Sequence, residues 1–202
     1  MMRFLALGDS YTIGEGVKPE ERWPAQLAAR LRQSGLSVDE PRLIAKTGWT
    51  TDELSAGIDA ARPVGPFDLV SLLIGVNNQY RSRSADEYER EFTALLQRAI
   101  RFAGDRPAQV LALSIPDWGV TPFAADRERA RIAAEIDQFN ALNRAVTEQL
   151  GARYVDVTPI SRTAANDLSL IADDGLHPSG KMYALWAGLA FPFVYSALSD
   201  VT

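Results

Sequence analysis

The chain has 202 residues and a formal net charge of -5, with no cysteine and one histidine. That length suits a single domain, residues 1–202, able to bury a large core without staples. The missing cysteines exclude disulfides, thiolate zinc sites and cysteine nucleophiles; the single histidine argues against a transition-metal site, and an acidic balance without a basic stripe argues against nucleic acid as a partner.

In chain order, Arg3–Leu7 reads as a buried strand. Its apolar part is too short for a secretory h-region and Asp9 follows at once, so a cytoplasmic location is expected. Pro24–Gln33 reads as a helix with its proline in the first turn, and Arg42–Ala45 as a second strand. Thr50-Thr51-Asp52-Glu53 is a capping box that predicts a second helix. Asp68–Ile74 is an apolar strand ending at Gly75. Ser84-Ala85-Asp86-Glu87 is another capping box, and the helix behind it puts Tyr88, Phe92, Leu95, Leu96 and Ala99 on one face. Gln109–Ile115 reads as a strand stopped by Pro116, Glu128–Leu150 as a long helix, and Tyr154–Val157 as a last short strand. Thr158–Asp174 reads mostly as loop. Met182–Leu198 is uncharged and apolar but shorter than the ~20 residues of a spanning helix. Interrupted by Gly188, Pro192 and Ser196, it reads as a buried, kinked terminal helix that begins near Pro178, and no membrane partner is expected.

Five strands alternating with five helices predict a parallel sheet covered on both faces. Right-handed crossovers narrow the choice to a three-layer α/β/α sandwich, flavodoxin-like, with strand order 2-1-3-4-5. Ligands of such sheets bind beyond the carboxyl ends of the strands. Gly8-Asp9-Ser10 follows the first strand, Lys46-Thr47-Gly48-Trp49 the second and Gly75-Val76-Asn77-Asn78 the third. Asp174-Gly175-Leu176-His177 follows the fifth on a long loop. All four clusters fall on one predicted edge. A serine needs a base to act as a nucleophile at neutral pH, and His177 is the one imidazole available.

With these four blocks in order between Gly8 and His177, the chain resembles the SGNH hydrolases, or GDSL esterase/lipase family. The resemblance implies an esterase in which Ser10 attacks an acyl carbonyl, His177 moves its proton and Asp174 holds the imidazole. It also implies an oxyanion hole made of the Ser10 and Gly48 backbone N–H groups and the Asn77 side-chain amide. No cofactor and no metal is implied. Asn78 stands where the family has Asp, which predicts altered loop bonding, and Tyr11 stands where the family's common name has Leu, which predicts a reshaped pocket.

Plainer readings stand beside these. Ser10 could cap a helix, His177 could be a turn residue, and Gly48, Asn77 and Asn78 could be turn formers. Trp49 and Tyr80 read as packing more readily than as pocket walls. Asp173 rivals Asp174 as the partner of His177, and Asp9 is expected to bond backbone locally. Gly175–Met182 imitates a phosphate-binding loop, but Met182 replaces the needed hydroxyl and Pro178 removes a donor. The expected substrate is a small-molecule ester with a short acyl chain, on a small alcohol or as an acetylated sugar. The alternatives are acyl transfer by the same triad, or a flavodoxin-like module that binds without hydrolysis. A monomer or weak homo-oligomer is expected.

Overall fold

Three apolar runs build the centre of the sheet. In the computed structural model, which describes residues 1–199, these are β1 (Phe4–Gly8), β3 (Leu69–Leu73) and β4 (Val110–Leu113), each buried along its whole length. Strands covered on both faces carry such continuous hydrophobic runs. The edges, β2 (Arg42–Ala45) and β5 (Arg153–Val155), are only partly buried. All pairs are parallel and the order is β2-β1-β3-β4-β5, as the alternation of elements predicts.

Long helices cover the two faces. α2 (Trp23–Gln33) packs against α8 (Gly180–Ser199), while α3 (Thr51–Ala61), α5 (Ala85–Phe102) and α6 (Arg129–Gln149) pack in series. In α5 the buried face is Tyr88, Phe92, Leu95, Leu96 and Ala99, the stripe that the 3.6-residue period predicts. The Glu53 carboxylate accepts the Thr50 N–H at 2.9 Å and closes the cap of α3. Ser84 accepts the Glu87 N–H at 3.2 Å at the start of α5.

Three short helices go beyond the predicted five: α1 (Ser10–Ile13), α4 (Val76–Tyr80) and α7 (Thr158–Arg162). The last corrects the expected loop at Thr158–Asp174, which also holds two 3-10 turns, Thr163–Ala165 and Leu168–Leu170. Pro159 lies in the first turn of α7, where a missing N–H costs nothing. The terminal helix is not buried all round. Met182, Tyr183, Trp186, Ala190 and Val194 face the core, while Leu185, Phe193 and Tyr195 are exposed. Pro192 lies inside it. Among the described residues no helix is long and apolar enough to cross a membrane.

Candidate active site

Strand register gathers the predicted blocks. Gly8, the last residue of β1, lies opposite Ala45 at the end of β2 and Leu73 at the end of β3. The chain therefore leaves all three strands at one level, and Asp9-Ser10, Thr47-Gly48 and Val76-Asn77 emerge side by side. The loop after α7 brings His177 to the same place. Ser10, Gly48, Asn77 and His177 line one cavity of about 200 Å³, walled otherwise by Thr47 and by apolar and aromatic side chains including Tyr11, Val76, Trp118, Phe123 and Leu176. Ser10 and His177 are 5% and 8% exposed.

The turn that presents Ser10 is held by its neighbour. Asp9 caps α1, its Oδ1 accepting the Tyr11 N–H at 3.0 Å, so Ser10 is the first helical residue and not the cap. A first-turn N–H has no partner within its helix, which leaves that of Ser10 for a ligand. Asp9 is fully buried, and its Oδ2 meets no protein partner among the described residues. Burial pushes its carboxyl up to about 7, against the backbone hydrogen bonds that favour its charge.

An unfolded aspartate titrates near ~4. Between ~4 and about 7 the folded chain therefore keeps a proton that the unfolded chain gives up, and stability falls as pH rises through that window. Asp9→Asn keeps a capping oxygen and removes the buried charge. We expect it to raise Tm by several degrees at pH 8 and to leave it nearly unchanged at pH 4. Thermal unfolding at the two pH values checks this, and an equal shift at both contradicts it.

The loops that follow β2 and β3 are clipped to each other. Asn77 donates one amide hydrogen to Trp49 O at 2.9 Å, which leaves its second for the cavity. Asn78 is fully buried and spends both ends of its amide on Thr51, accepting the Thr51 N–H at 3.1 Å and donating to Thr51 Oγ1 at 2.6 Å. The Thr51 hydroxyl in turn donates to Glu91. Asn at 78 thus supplies the donor that frees this hydroxyl to serve Glu91, a bonding pattern an aspartate in that place could not give while ionised. Gly48 sits at φ +85° and Gly75 at φ +130°, backbone that side chains with a Cβ rarely adopt. At Gly75 a Cβ would also lie 2.5 Å from the Tyr88 ring.

On the other side, Asp174 organises the histidine loop. Its Oδ1 accepts the Leu176 and His177 N–H groups, each at 2.9 Å, and its Oδ2 lies 2.6 Å from His177 Nδ1. Burial works against the Asp174 charge, but the His177 hydrogen bond and the two N–H donors outweigh it and hold the carboxyl below its ordinary range. Asp174, not the exposed Asp173 beside it, meets the imidazole. The Tyr11 ring stands edge-on to the imidazole with centroids 5.7 Å apart. With Nδ1 engaged, Nε2 is the nitrogen left for a proton transfer.

Several contributors carry no sequence signature. Arg81 Nη2 donates to Gly48 O at 2.7 Å and its Nη1 reaches Glu53 Oε1 at 3.3 Å, which ties the Gly48 loop to α3 and α4. Thr47 donates to Glu15, linking the β2 loop to the segment after α1. Phe123 N–H donates to Gly175 O at 3.0 Å and brings an aromatic wall to the histidine loop. Tyr80 lines the cavity, whereas the Trp49 ring packs on Gly57 of α3.

Known proteins share this fold. No curated protein matches the chain in sequence. Among solved structures, TesA superposes with a TM-score of 0.73 at 20% identity, covering 98% of this chain and 100% of its own. The acetylxylan esterase Axe2 from Geobacillus stearothermophilus gives 0.73 at 18%, covering 96% and 94%. A lipase/acylhydrolase from Enterococcus faecalis gives 0.73 at 18%, covering 97% and 96%. The sequence profile of the GDSL-like lipase/acylhydrolase family matches residues 6–185. That span runs from the strand before Ser10 into the helix after His177, and the chain belongs to this family.

Proposed function

We propose that this protein is a serine esterase that works through an acyl-enzyme on Ser10, without a metal. One observation carries the reading: the only histidine, braced at Nδ1 by Asp174, closes the same cavity as Ser10, Gly48 and Asn77.

In this mechanism His177 Nε2 takes the Ser10 hydroxyl proton as Oγ bonds to the acyl carbon. The carbonyl oxygen becomes an oxyanion, met by the Ser10 and Gly48 N–H groups and the free amide hydrogen of Asn77. Collapse of this intermediate breaks the bond to the alcohol oxygen, to which His177 returns the proton. Water then repeats the sequence on the acyl-enzyme and releases the acid. Asp174 stabilises the imidazolium at each stage and stays unprotonated, in keeping with its lowered titration range.

The cavity limits the acyl part. At about 200 Å³ it is smaller than the ~300–1,000 Å³ usual for sites that enclose drug-sized ligands. Its apolar walls favour hydrocarbon, which together favours short acyl chains such as acetyl to butyryl. A fluorophosphonate probe tests the mechanism by mimicking the tetrahedral intermediate. It is expected to label Ser10 stoichiometrically and to stop turnover of p-nitrophenyl acetate, with EDTA leaving the untreated rate unchanged. Labelling at another residue, or undiminished turnover after labelling, overturns the reading.

A further inference from the structure

A second cavity, of about 510 Å³, adjoins the first and shares two of its walls, Tyr80 and Trp118. The catalytic cavity is dominated by apolar side chains. The outer one interleaves Asp126, Arg127 and Glu128, just before α6, with Arg131 and Glu135 in its first two turns. We propose that this outer cavity is the leaving-group subsite and that it takes a neutral polyhydroxylated alcohol, a sugar ring. The proposal rests on the esterase reading above and names the half of the substrate that reading leaves open.

The shared wall is built from the outer side. Trp118 Nε1 donates to Gln79 Oε1 at 2.8 Å, and Gln79 Nε2 donates to Glu135 Oε2 at 2.7 Å. Glu135 Oε1 accepts from Arg131 Nε at 2.7 Å. Gln79 is buried and both ends of its amide are used, so it locks the indole plane while joining it to the charged floor. The Arg131 hydrogen bond, with that of Gln79, holds the Glu135 carboxyl below its ordinary range and keeps it an acceptor at neutral pH. Tyr80 stands at a T-shaped 5.4 Å from Trp118 and is 48% exposed, which makes an aromatic corner between the two cavities.

The chemistry of this lining selects the ligand. A sugar ring has an apolar C–H face, which suits an aromatic wall, and a rim of hydroxyls that each donate and accept. Guanidinium groups supply donors only and carboxylates acceptors only. A lining that mixes both signs can therefore satisfy hydroxyls in either role. Three carboxylates against two guanidinium groups leave no excess of positive charge for a phosphorylated alcohol. An alkyl alcohol would leave those charged groups without new partners. Hydrocarbon acyl chains belong in the apolar cavity, so the polar cavity falls to the alcohol, whose oxygen must lie beside His177 to receive its proton.

The test compares two acetate esters with the same acyl group: singly acetylated methyl β-D-xylopyranoside and butyl acetate. The wild-type protein is expected to favour the sugar ester by at least about tenfold in kcat/KM, the scale of one charge-assisted hydrogen bond. Arg131→Ala is expected to lower that preference by about the same factor. Arg144→Ala, an exposed position on the same helix paired with Glu148, is expected to leave it in place. A wild-type preference near unity, or one that survives in Arg131→Ala, overturns the subsite. A binding measurement separates the two readings. Methyl β-D-xylopyranoside is titrated into Ser10→Ala while the Trp118 indole N–H resonance, assigned with Trp118→Phe, is followed. A shift that adding Arg131→Ala abolishes, together with a wild-type protein that hydrolyses neither ester, retains the sugar site and rejects the esterase. No shift, with both esters hydrolysed equally, rejects the sugar site and retains the esterase.

Discussion

Ser10→Ala is expected to lower kcat on any ester substrate by about 10⁴–10⁶, the scale seen when a nucleophile is removed from a unit of this kind. The fold should be unaffected. Asp9 Oδ1, not Ser10, caps α1. A lost cap costs about 1 kcal/mol, and here the cap remains. The two readings of Ser10 thus predict opposite outcomes. As a structural residue its loss lowers Tm and spares turnover; as a nucleophile its loss spares Tm and removes turnover. The residual rate should exceed the rate in water, because the Ser10 backbone N–H, Gly48 and Asn77 survive the substitution. Near-native turnover in a well-folded Ser10→Ala protein contradicts the mechanism. Thermal unfolding run beside the kinetics excludes a misfolded sample.

How much of this is legible in the sequence depends on the length of each signal. β1, β3 and β4 are continuous apolar runs, and α5 and α6 span enough turns to show a period, so their places and the sheet order follow from pattern alone. α1, α4 and α7 have four or five residues each and cannot show a 3.6-residue repeat. The site divides in the same way. Ser10, Gly48 and Asn77 are readable because each closely follows a strand, and strand ends fix position. Arg81 is an arginine like any other until Gly48 O is seen beside it. The Gln79–Trp118 bond joins residues 39 apart, and the Thr51 partner of Asn78 lies 27 away. Such pairs exist only once the sheet has set the distances, so neither the aromatic corner nor the outer cavity has a counterpart in the sequence.

Asp174→Asn is the second large effect, and it separates charge from shape. Asn offers one oxygen, which can take over the Leu176 and His177 N–H groups that Asp174 Oδ1 now accepts at 2.9 Å. The turn therefore persists, and the amide nitrogen falls where Oδ2 now lies, 2.6 Å from His177 Nδ1. That nitrogen is a donor. It forces Nδ1 to accept, which places the ring proton on Nε2, the atom that must take the Ser10 proton. We expect kcat to fall by about 10³–10⁴, as for other triads trapped in the wrong tautomer, with little change in KM or Tm. Asp174→Ala removes the acceptor of both backbone N–H groups as well, so it should lower Tm where Asp174→Asn does not. Asp173→Asn supplies the comparison. Exposed and off the imidazole, it should change kcat by less than about twofold. If Asp174→Asn keeps its turnover while Asp173→Asn loses it, the bracing role passes to Asp173, and the 2.6 Å contact at Nδ1 is structural only.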